Sequence, residues 1–519
     1  QKEAIDDMRG LTERESLALL LVRGWLMASD HAVSAGVSQF LSKVPQPQLP
    51  SLRPFQRNVG NHKGSAFLEA PTGSGKTNAA IVWALNNRKG GERIFYLLPY
   101  QASIEAMADT LEKLFGKENV AVVHARALDY AFRQYFEESG EYESAAEQAK
   151  LETELNKLAH KPIKVATPFQ LLKWLFGIPR FEIGISEMVG GLFIFDEIHA
   201  YDAHVVALIA EMVRVLKQLG GRFLFMSATF PPFLKKLIVE ALGEDVPEFG
   251  LDSEADSWTR KFLNQVRHIV RLHSDKTLED LLPDIVDAIR CGKKVLVVAN
   301  RVAQAQEIYR QLREQFDGIH LLHSRFTRRD RVSKERAVID ALWGRRSDVL
   351  VQALVATQVV EVSLDISFDT IFTEVAPVDD LLQRFGRVNR YGEHAEGVEV
   401  HVACRFDRDR LIRVYDEERL IRTLDAAPKD GTPLKVETAA EWVRQVYHDG
   451  WTSREQKRYE QAKRAFQNVL SALRPLCRLS EGEEEFYGLF QSVEVLPSKL
   501  YAEYDAHMRE KRYLLANQL

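Results

Sequence analysis

The sequence predicts an α/β protein with two tandem domains, each a parallel sheet flanked by helices, between a helical N-terminal segment and a mainly helical C-terminal accessory region. Short apolar segments alternate with helical stretches from residue 52 onwards, and the alternation starts again after a connecting region near residue 250. A proline-rich stretch at residues 44–50 separates this part from the N-terminal segment. Strands that alternate with helices are typical of parallel sheets covered on both faces.

The length and composition indicate a large globular chain. Its 519 residues exceed what one hydrophobic core organises, and 45% hydrophobic with 28% charged residues is an ordinary globular composition. The net charge of −5 excludes a globally basic nucleic-acid binder, so any such contact requires a local basic groove. The sequence contains no run of about eighteen apolar residues, which is the length that a membrane-spanning helix needs. The cysteines Cys291, Cys404 and Cys477 lack metal-ligand spacing, and we expect a cytoplasmic protein with reduced thiols.

These patterns divide the chain into four predicted segments. A helical segment covers residues 1–50, a first α/β domain 51–250, a second α/β domain 251–409, and the accessory region 410–519. The strands predicted in the first domain are 66–68, 94–98, 164–166, 192–195 and 223–226. The strands predicted in the second domain are 295–298, 319–322, 349–355, 370–372 and 398–403.

A glycine-rich loop between the first predicted strand and a helix is the most specific motif. Residues 70–77 read Ala-Pro-Thr-Gly-Ser-Gly-Lys-Thr. Small residues let backbone N–H groups turn towards phosphates, a lysine neutralises the β and γ oxygens, and a hydroxyl holds magnesium. The strand–loop–helix context disfavours the alternative, a chance glycine-rich turn. The predicted ATP-binding residues of the loop are Thr72, Gly73, Ser74, Gly75, Lys76 and Thr77.

An acidic pair closes another predicted strand. Asp196 and Glu197 follow the apolar segment 192–195, and an aspartate at the carboxyl end of such a strand projects into the crevice where ligands bind. We predict that Thr77 and Asp196 hold Mg²⁺ and that Glu197 orients and deprotonates the attacking water. A pair of acidic residues that merely caps a helix is the alternative. Beside a phosphate loop it is the less favoured one.

A cluster of arginines in the second domain suits the same chemistry. Residues 383–390 read Gln-Arg-Phe-Gly-Arg-Val-Asn-Arg. Phosphoryl transfer leaves charge on the equatorial oxygens, which a cation stabilises. Arg387 and Arg390 lie three apart, so we place them on one helical face as arginine fingers. Gln383 and Arg384 are predicted to turn towards the nucleotide or Glu197. Solvated surface arginines are the alternative for any single member.

Two residues before the phosphate loop are predicted to read the base. Phe55 and Gln56 precede the loop by about one short helix. An amide can pair bidentately with an adenine edge, as amides do on nucleic acids. Gln56 is therefore the predicted adenine reader, and an ordinary surface glutamine is the alternative.

Together these motifs resemble those of superfamily 2 helicases over residues 52–403. The segments 196–202 (Asp-Glu-Ile-His-Ala-Tyr-Asp), 322–326 (Leu-His-Ser-Arg-Phe) and 383–390 narrow the resemblance to the CRISPR-associated helicase of type I (Cascade) systems. The resemblance implies two RecA-like domains, ATP and Mg²⁺ as cofactors, and 3′ to 5′ translocation along single-stranded DNA. It also implies recruitment by an RNA-guided surveillance complex, and hence a prokaryotic source.

The resemblance assigns further site residues. Asp365 is expected to approach ATP from the second domain, and His199, Ser227 and Thr229 to couple phosphate loss to domain movement. A translocase grips the phosphodiester backbone with residues that follow strand ends in both domains. Each such position alone is an ordinary loop start. The predicted nucleic-acid contacts are Pro99, Tyr100, Gln101, Ser103, Thr167, Pro168, Asn300, Arg301, Ser324, Arg325, Thr357 and Gln358.

Many members of the resembled family carry a histidine–aspartate (HD) nuclease before the helicase. Such a site needs several His and Asp ligands for transition metals. The N-terminal segment offers Asp30 and His31 in reversed order, and His448-Asp449 stands in the accessory region without companion histidines. We therefore expect the nuclease to lie upstream or on a separate subunit, and no nuclease activity from this chain alone.

Three other functions compete with this reading. An RNA helicase or remodeller shares the core motifs, and the extended segment 196–202 favours the CRISPR reading over it. A non-hydrolysing scaffold is disfavoured because Lys76, Thr77, Asp196, Glu197 and Arg387 are all present. The third is the helicase part of a fused helicase-nuclease.

Overall fold

The protein, seen in a computed structural model, forms two compact units. The structure describes residues 12–34, 36–37, 44–124, 126–157, 161–361, 366–407, 414–475, 477, 479–489, 495–517 and 519. The first unit comprises the described residues of Gln1–Ser227, Lys236–Gly250 and Glu455–Asn517. The second comprises those of Ala228–Lys235, Leu251–Arg454 and Gln518–Leu519. The predicted limits of the four segments stay a prediction, and the accessory region is divided between the units.

Each unit is built on a seven-stranded sheet. The first sheet has the order β3-β4-β2-β5-β6-β1-β7 and is parallel throughout. Its strands are β1 Ala66–Glu69, β2 Ile94–Leu97, β3 Val120–Val123, β4 Ile163–Ala166, β5 Leu192–Asp196, β6 Arg222–Ser227 and β7 Glu248–Gly250. The inner strands are apolar and buried, as parallel sheets covered on both faces require.

The second sheet has the order β10-β11-β9-β12-β13-β8-β14 and is parallel except for its last strand. The strands are β8 His268–His273, β9 Val295–Val298, β10 Ile319–Leu322, β11 Ala353–Ala356, β12 Thr370–Glu374, β13 Val398–Ala403 and β14 Pro433–Leu434. The edge strand β14 pairs antiparallel with β8 and comes from the region after β13. This part of the accessory region therefore completes the second sheet.

Helices connect the strands and cover the sheets. Those of residues 13–250 are α1 Glu13–Ser34, α2 Pro54–Asn61, α3 Lys76–Asn87, α4 Gln101–Phe115, α5 Ala127–Ser139, α6 Tyr142–Lys157, α7 Pro168–Leu175, α8 Phe181–Met188, α9 Ala203–Gln218 and α10 Pro232–Leu242. Those of residues 251–454 are α11 Ser257–Asn264, α12 Leu282–Arg290, α13 Val302–Arg313, α14 Arg328–Leu342, α15 Val378–Phe385, α16 Glu417–Asp425 and α17 Val436–Val446. The last four are α18 Ser453–Ala472, α19 Ser480–Leu489, α20 Tyr501–Arg509 and α21 Tyr513–Ala516. No helix among the described residues is long and apolar enough to span a membrane.

The predicted fold class of two α/β domains is confirmed, and all ten predicted strands are present. The prediction for one strand began too early, because it included residues 349–352, whereas β11 begins at Ala353. The sequence reading missed β3, β7, β8 and β14. Of these, β7 is a short and largely exposed edge strand, and β8 contains an arginine and two histidines among its six residues. Neither has the continuous apolar run of an inner strand.

The strand order places three functional loops at adjacent positions. β6 lies between β1 and β5, and Glu69 pairs with Ser227 while Asp196 pairs with Met226. The carboxyl ends of parallel strands meet at one edge of a sheet. The phosphate loop after β1, Ser227 at the end of β6 and Asp196 at the end of β5 therefore share one edge.

The C-terminal helices α18 to α21 pack on the first unit. Phe466 of α18 is fully buried, and its ring lies 4.8 Å from that of Phe176, at the end of α7. Phe486 of α19 contacts the same ring edge-on at 5.4 Å. Leu514 of α21 is buried against the α5–α6 helical hairpin, and its N–H donates to the hydroxyl of Tyr142 at 3.2 Å. These contacts hold the end of the chain to the first unit.

Removal of the Phe466 ring should loosen this attachment. Phe466→Ala deletes a fully buried ring, which costs about 3–5 kcal/mol of unfolding free energy. We expect a lower urea midpoint and earlier proteolytic cleavage between residues 455 and 517. Tyr501→Ala is the control, because Tyr501 is exposed in α20. Equal midpoints for the two variants would contradict the packing described.

Candidate functional site

The phosphate loop has the backbone geometry of an anion-binding turn. Gly73 and Gly75 adopt positive φ angles of 83° and 96°, and Gly75 is the N-cap of α3. The loop is anchored to β6, because Ala70 N–H donates to Ser227 O at 3.0 Å, and a turn within the loop is closed by Ser74 N–H, which donates to Pro71 O at 3.1 Å. Backbone N–H groups at the start of α3 provide the positive end of a helix dipole. This is the arrangement that binds phosphates.

Helix α2 holds the loop in this conformation. The Gln56 amide donates to the Gly75 carbonyl at 2.9 Å, and its oxygen accepts from the Arg53 N–H at 2.7 Å. The Arg53 guanidinium donates to the Ser74 carbonyl at 2.7 Å. Phe55 and Gln56 are both buried, so the surface-glutamine alternative is wrong. An adenine contact of Gln56 stays a prediction. Arg53 has the same contact with the loop and was missed, because a lone arginine before a helix carries no motif.

The catalytic side chains predicted for the first unit lie together. The Lys76 ammonium is 2.9 Å from Glu197 Oε1, although the two residues belong to α3 and to the end of β5. Lys76 is buried, and Glu197 is held in the left-handed region at φ 52°. Positive φ in a non-glycine residue persists only where the surroundings enforce it. Here it turns the Glu197 carboxylate towards the loop.

Asp196 fits the role of a magnesium-binding residue. It is buried, and burial is the main cause that raises its pKa to about 6, with Glu197 adding to the shift and Lys76 opposing it. Among the described residues its Oδ1 has no hydrogen-bond partner, while Oδ2 accepts from Tyr96. An orphaned buried carboxylate oxygen at the sheet edge that also carries the phosphate loop suits Mg²⁺, since Mg²⁺ uses one or two protein ligands plus phosphates and water.

A polar relay leads from the acidic pair to the end of β6. His199 Nδ1 lies 3.4 Å from Glu197 Oε2 and 2.7 Å from Ser227 Oγ. The boundary between the compact units falls directly after Ser227, and the half-buried Thr229 belongs to the second unit. The three predicted coupling residues therefore lie at or next to the point where the chain passes between units.

In the second unit Arg384 is the centre of a buried network. It is 0% exposed, and its Nε donates to Glu361 at 2.7 Å. Its other nitrogens donate to the Thr373 hydroxyl, the Glu374 carbonyl, Asn300 Oδ1 and the Tyr415 hydroxyl. The prediction that Arg384 turns towards nucleotide is therefore replaced by a positioning role. Tyr415 was not predicted, because it lies beyond the helicase motifs. Gln383, half-buried on α15, stays a predicted contact, and Asp365 lies outside the described residues.

The expectation that Arg387 and Arg390 share a helical face is wrong. Helix α15 ends at Phe385, Val388 forms a β-bridge with Phe368, and Asn389 has a φ of 46°. A long-range backbone contact thus ends the helix. The Arg387 guanidinium donates to the carbonyls of Val360 and Glu361 at 2.9 and 2.6 Å. Both arginines are half-buried, and their role as fingers stays a prediction.

The predicted nucleic-acid contacts of the first unit lie at two neighbouring strand ends. Tyr100 is the N-cap of α4 after β2, and Thr167 is the N-cap of α7 after β4. Leu98 N–H donates to Ala166 O at 3.0 Å, which joins the two loops. Helix N-termini side by side suit a phosphate backbone. The half-buried members of the set are Pro99, Tyr100, Gln101 and Ser103, and the buried ones are Thr167 and Pro168.

The predicted nucleic-acid contacts of the second unit follow three adjacent strands, β10, β11 and β9. Ser324 and Arg325 are exposed, Arg301 is half-exposed, and Thr357 is buried. Gln358 donates to the Asn300 carbonyl at 3.0 Å. The Asn300 amide holds Arg384 and the Val375 carbonyl, so its contact with nucleic acid stays a prediction. Exposed arginines beside fixed strand ends again suit a backbone contact.

A family model for DEAD/DEAH box helicases matches residues 53–237, and one for the C-terminal part of the CRISPR-associated nuclease/helicase Cas3 matches residues 291–393. The fold, the phosphate loop and the acidic pair define a nucleotide-binding protein of superfamily 2 helicase type.

Sequence similarity to individual proteins is more specific than the match to these family models. The chain is 29% identical over 409 residues to a putative CRISPR-associated nuclease/helicase Cas3 of Methanocaldococcus jannaschii, with 76% of this chain and 54% of the relative covered. It is 30% identical over 380 residues to the Cas3 endonuclease/helicase of Escherichia coli K12, with 66% and 42% covered. The resemblance to the CRISPR-associated helicases of the Cas3 family is confirmed. The chain spans about half the length of these curated relatives.

Solved structures agree on the fold. The crystal structure of T. fusca Cas3-AMPPNP is similar with a TM-score of 0.65 and 22% identity over 89% of this chain and 60% of that one. A chain in a CRISPR RNA-guided surveillance complex, pre-nicking, is similar with a TM-score of 0.56 and 21% identity over 81% of this chain and 53% of that one.

Gly75 should tolerate no side chain. A Cβ at this residue would lie 2.5 Å from Gln56 Nε2, and its φ of 96° is unfavourable for other residues. We expect Gly75→Ala to weaken binding of a fluorescent ATP analogue by 10-fold or more, because the loop must shift (about 1.4 kcal/mol per factor of ten). Gly90→Ala is the control, since a Cβ there meets open space. Unchanged affinity in Gly75→Ala would contradict the loop geometry.

Substitutions of Arg384 and Arg387 should affect different properties, the first the stability of the fold and the second ATP turnover. Arg384→Gln leaves Glu361 buried without its cation, which costs about 3–5 kcal/mol of unfolding free energy. Arg387→Gln removes bonds to backbone carbonyls at a half-buried site and should keep the urea midpoint close to that of the native chain while lowering ATP turnover. A stable Arg384→Gln variant that has lost only nucleotide affinity would restore the original prediction.

Proposed function

We propose that this chain is an ATP-dependent translocase and helicase acting on single-stranded DNA with 3′ to 5′ polarity. The single observation that carries the proposal is the meeting of Lys76, Asp196 and Glu197 at one edge of the first sheet. A phosphate loop alone binds nucleotide. A phosphate loop with an acidic pair aimed at it can also hydrolyse nucleotide.

The side chains divide the chemistry as follows. The N–H groups at the start of α3 and the Lys76 ammonium receive the β and γ phosphates. Lys76 pairs with Glu197 in this structure, so a phosphate that draws the ammonium away leaves the carboxylate to orient and deprotonate water. Thr77 and Asp196 would hold magnesium, which when bound would neutralise charge that develops on the phosphate oxygens. Arg387 and Arg390 would add cationic stabilisation of the charge that develops on the transferred phosphate.

Coupling of hydrolysis to movement is assigned to the relay of His199 and Ser227. A change at Glu197 alters its contact with His199, which in turn holds Ser227, the last residue of the first unit before the chain crosses. The segment after it is anchored in the second unit, where the Phe233 ring lies 4.6 Å from that of Trp451 and 5.5 Å from that of Tyr447. The chain therefore runs directly from this relay into an anchored segment of the second unit, which supports the assignment of coupling to these residues.

The substrate and partners follow from the family. Names of the relatives support action in CRISPR defence, and a similar chain occurs in a CRISPR RNA-guided surveillance complex. We propose that a type I surveillance (Cascade) complex recruits this chain to a displaced DNA strand, with an HD nuclease supplied upstream or by a separate subunit. The chain matches only about half the length of these relatives, whose names include nuclease activity. We therefore propose that the nuclease lies outside the matched part.

An RNA helicase is the second candidate. The strand-end contacts address the phosphodiester backbone, which DNA and RNA share. Similarity to named Cas3 proteins over 76% of the chain favours DNA.

Substitutions at three residues should separate binding from hydrolysis. Lys76→Ala and Asp196→Ala should each reduce DNA-stimulated turnover about 100-fold or more with the fold intact, because each removes charge stabilisation at the phosphates. Glu197→Gln should keep ATP binding while turnover falls about 100-fold or more, because the general base is lost. Phosphate release and analogue binding, measured on the same samples with circular dichroism, report both effects. Retained turnover in Lys76→Ala or Asp196→Ala would contradict the site assignment.

A further inference from the structure

A buried tyrosine is hydrogen-bonded to Asp196, one of the two side chains assigned to magnesium. Tyr96 is on β2, next to β5 in the sheet, and is 1% exposed. Its hydroxyl donates to Asp196 Oδ2 at 2.9 Å. No sequence motif marked Tyr96, because the contact joins residues 100 positions apart.

The direction of this hydrogen bond is fixed by donor capacity. A tyrosine hydroxyl has one proton, and an ionised carboxylate only accepts. Tyr96 is therefore the donor, and Oδ2 of Asp196 is the acceptor.

This bond leaves the other carboxylate oxygen available. Oδ1 of Asp196 is buried, and within the described part of the chain it has no hydrogen-bond partner. Mg²⁺ demands near-octahedral geometry, so the orientation of its ligands affects affinity.

We propose that Tyr96 is a positioning residue that orients Asp196 for Mg²⁺ and does not itself contact the ion. The inference rests on the proposed function, because Asp196 belongs to the proposed ATP site. A tyrosine that merely fills the core would leave the Mg²⁺ dependence of nucleotide binding unchanged when its hydroxyl is removed. The orienting role predicts a change in that quantity.

Tyr96→Phe makes the test, since it removes the hydroxyl and keeps the ring. The readout is binding of methylanthraniloyl-labelled ATP to the full chain at increasing Mg²⁺ concentrations. We expect the half-saturating Mg²⁺ concentration to rise by about 10-fold or more, as for other groups that orient metal ligands. Affinity for the labelled ATP in EDTA should stay within about two-fold of the native value, which is under 0.5 kcal/mol.

Tyr135→Phe is the matched control. Tyr135 also donates to a carboxylate in the first unit, Glu152 Oε2 at 2.7 Å, but lies on α5. The Tyr135→Phe variant should bind Mg²⁺ and nucleotide as the native chain does. If Tyr96→Phe folds poorly by its melting temperature, Tyr96→Met removes the hydroxyl with a flexible apolar side chain and should give the same shift.

The outcomes separate this inference from the proposed function. A native chain with Mg²⁺-dependent nucleotide binding, combined with an unchanged half-saturating concentration in the Tyr96 variants, overturns the orienting role and leaves the ATP site standing. A native chain whose nucleotide binding ignores Mg²⁺ overturns the proposed site as well. An equal shift in Tyr135→Phe also overturns the role of Tyr96, because the effect would then be general.

Discussion

The ion pair between Lys76 and Glu197 is the interaction on which the proposed chemistry depends. It joins the start of α3 to the end of β5 across 121 positions of sequence, at a separation of 2.9 Å. The pair exists only because β6 brings β1 and β5 within one strand of each other and because Glu197 adopts a positive φ. The first condition is a property of the parallel sheet and its crossover connections. The second is a local conformation of the residue that follows β5. The ion pair is thus a consequence of strand order and of this local conformation.

From this pair, contacts extend in two directions. Glu197 reaches Ser227 through His199, and Asp196, the neighbour of Glu197 in the chain, accepts from Tyr96. In the second unit a different buried cation, Arg384, plays the organising role by holding Glu361 and Asn300 at neighbouring strand ends. A buried polar network that is hydrogen-bonded as Arg384 is fixes the positions of its side chains. Each unit therefore has one polar centre at the carboxyl edge of its sheet.

Much of this arrangement was predictable from sequence. Inner strands are short apolar runs bounded by turns, and the phosphate loop and acidic pair have spacings that few other structures require. What escaped prediction depends on distant contacts. The sequence predicts that Arg384 turns towards the nucleotide or Glu197, and its contacts with Glu361, Asn300 and Tyr415 show that it is buried instead. The bridge between Val388 and Phe368 ends α15 before the two arginines, and no local pattern predicts it.

The most direct test of the account is ATP hydrolysis with Mg²⁺ in three conditions: without nucleic acid, with single-stranded DNA, and with single-stranded RNA. Lys76→Ala serves as the background control. The account predicts strong stimulation by DNA and little by RNA, with no turnover in the variant. Equal or greater stimulation by RNA would contradict the DNA assignment and favour the RNA-helicase candidate. Turnover that no nucleic acid changes would contradict the claim that this chain is a nucleic-acid motor.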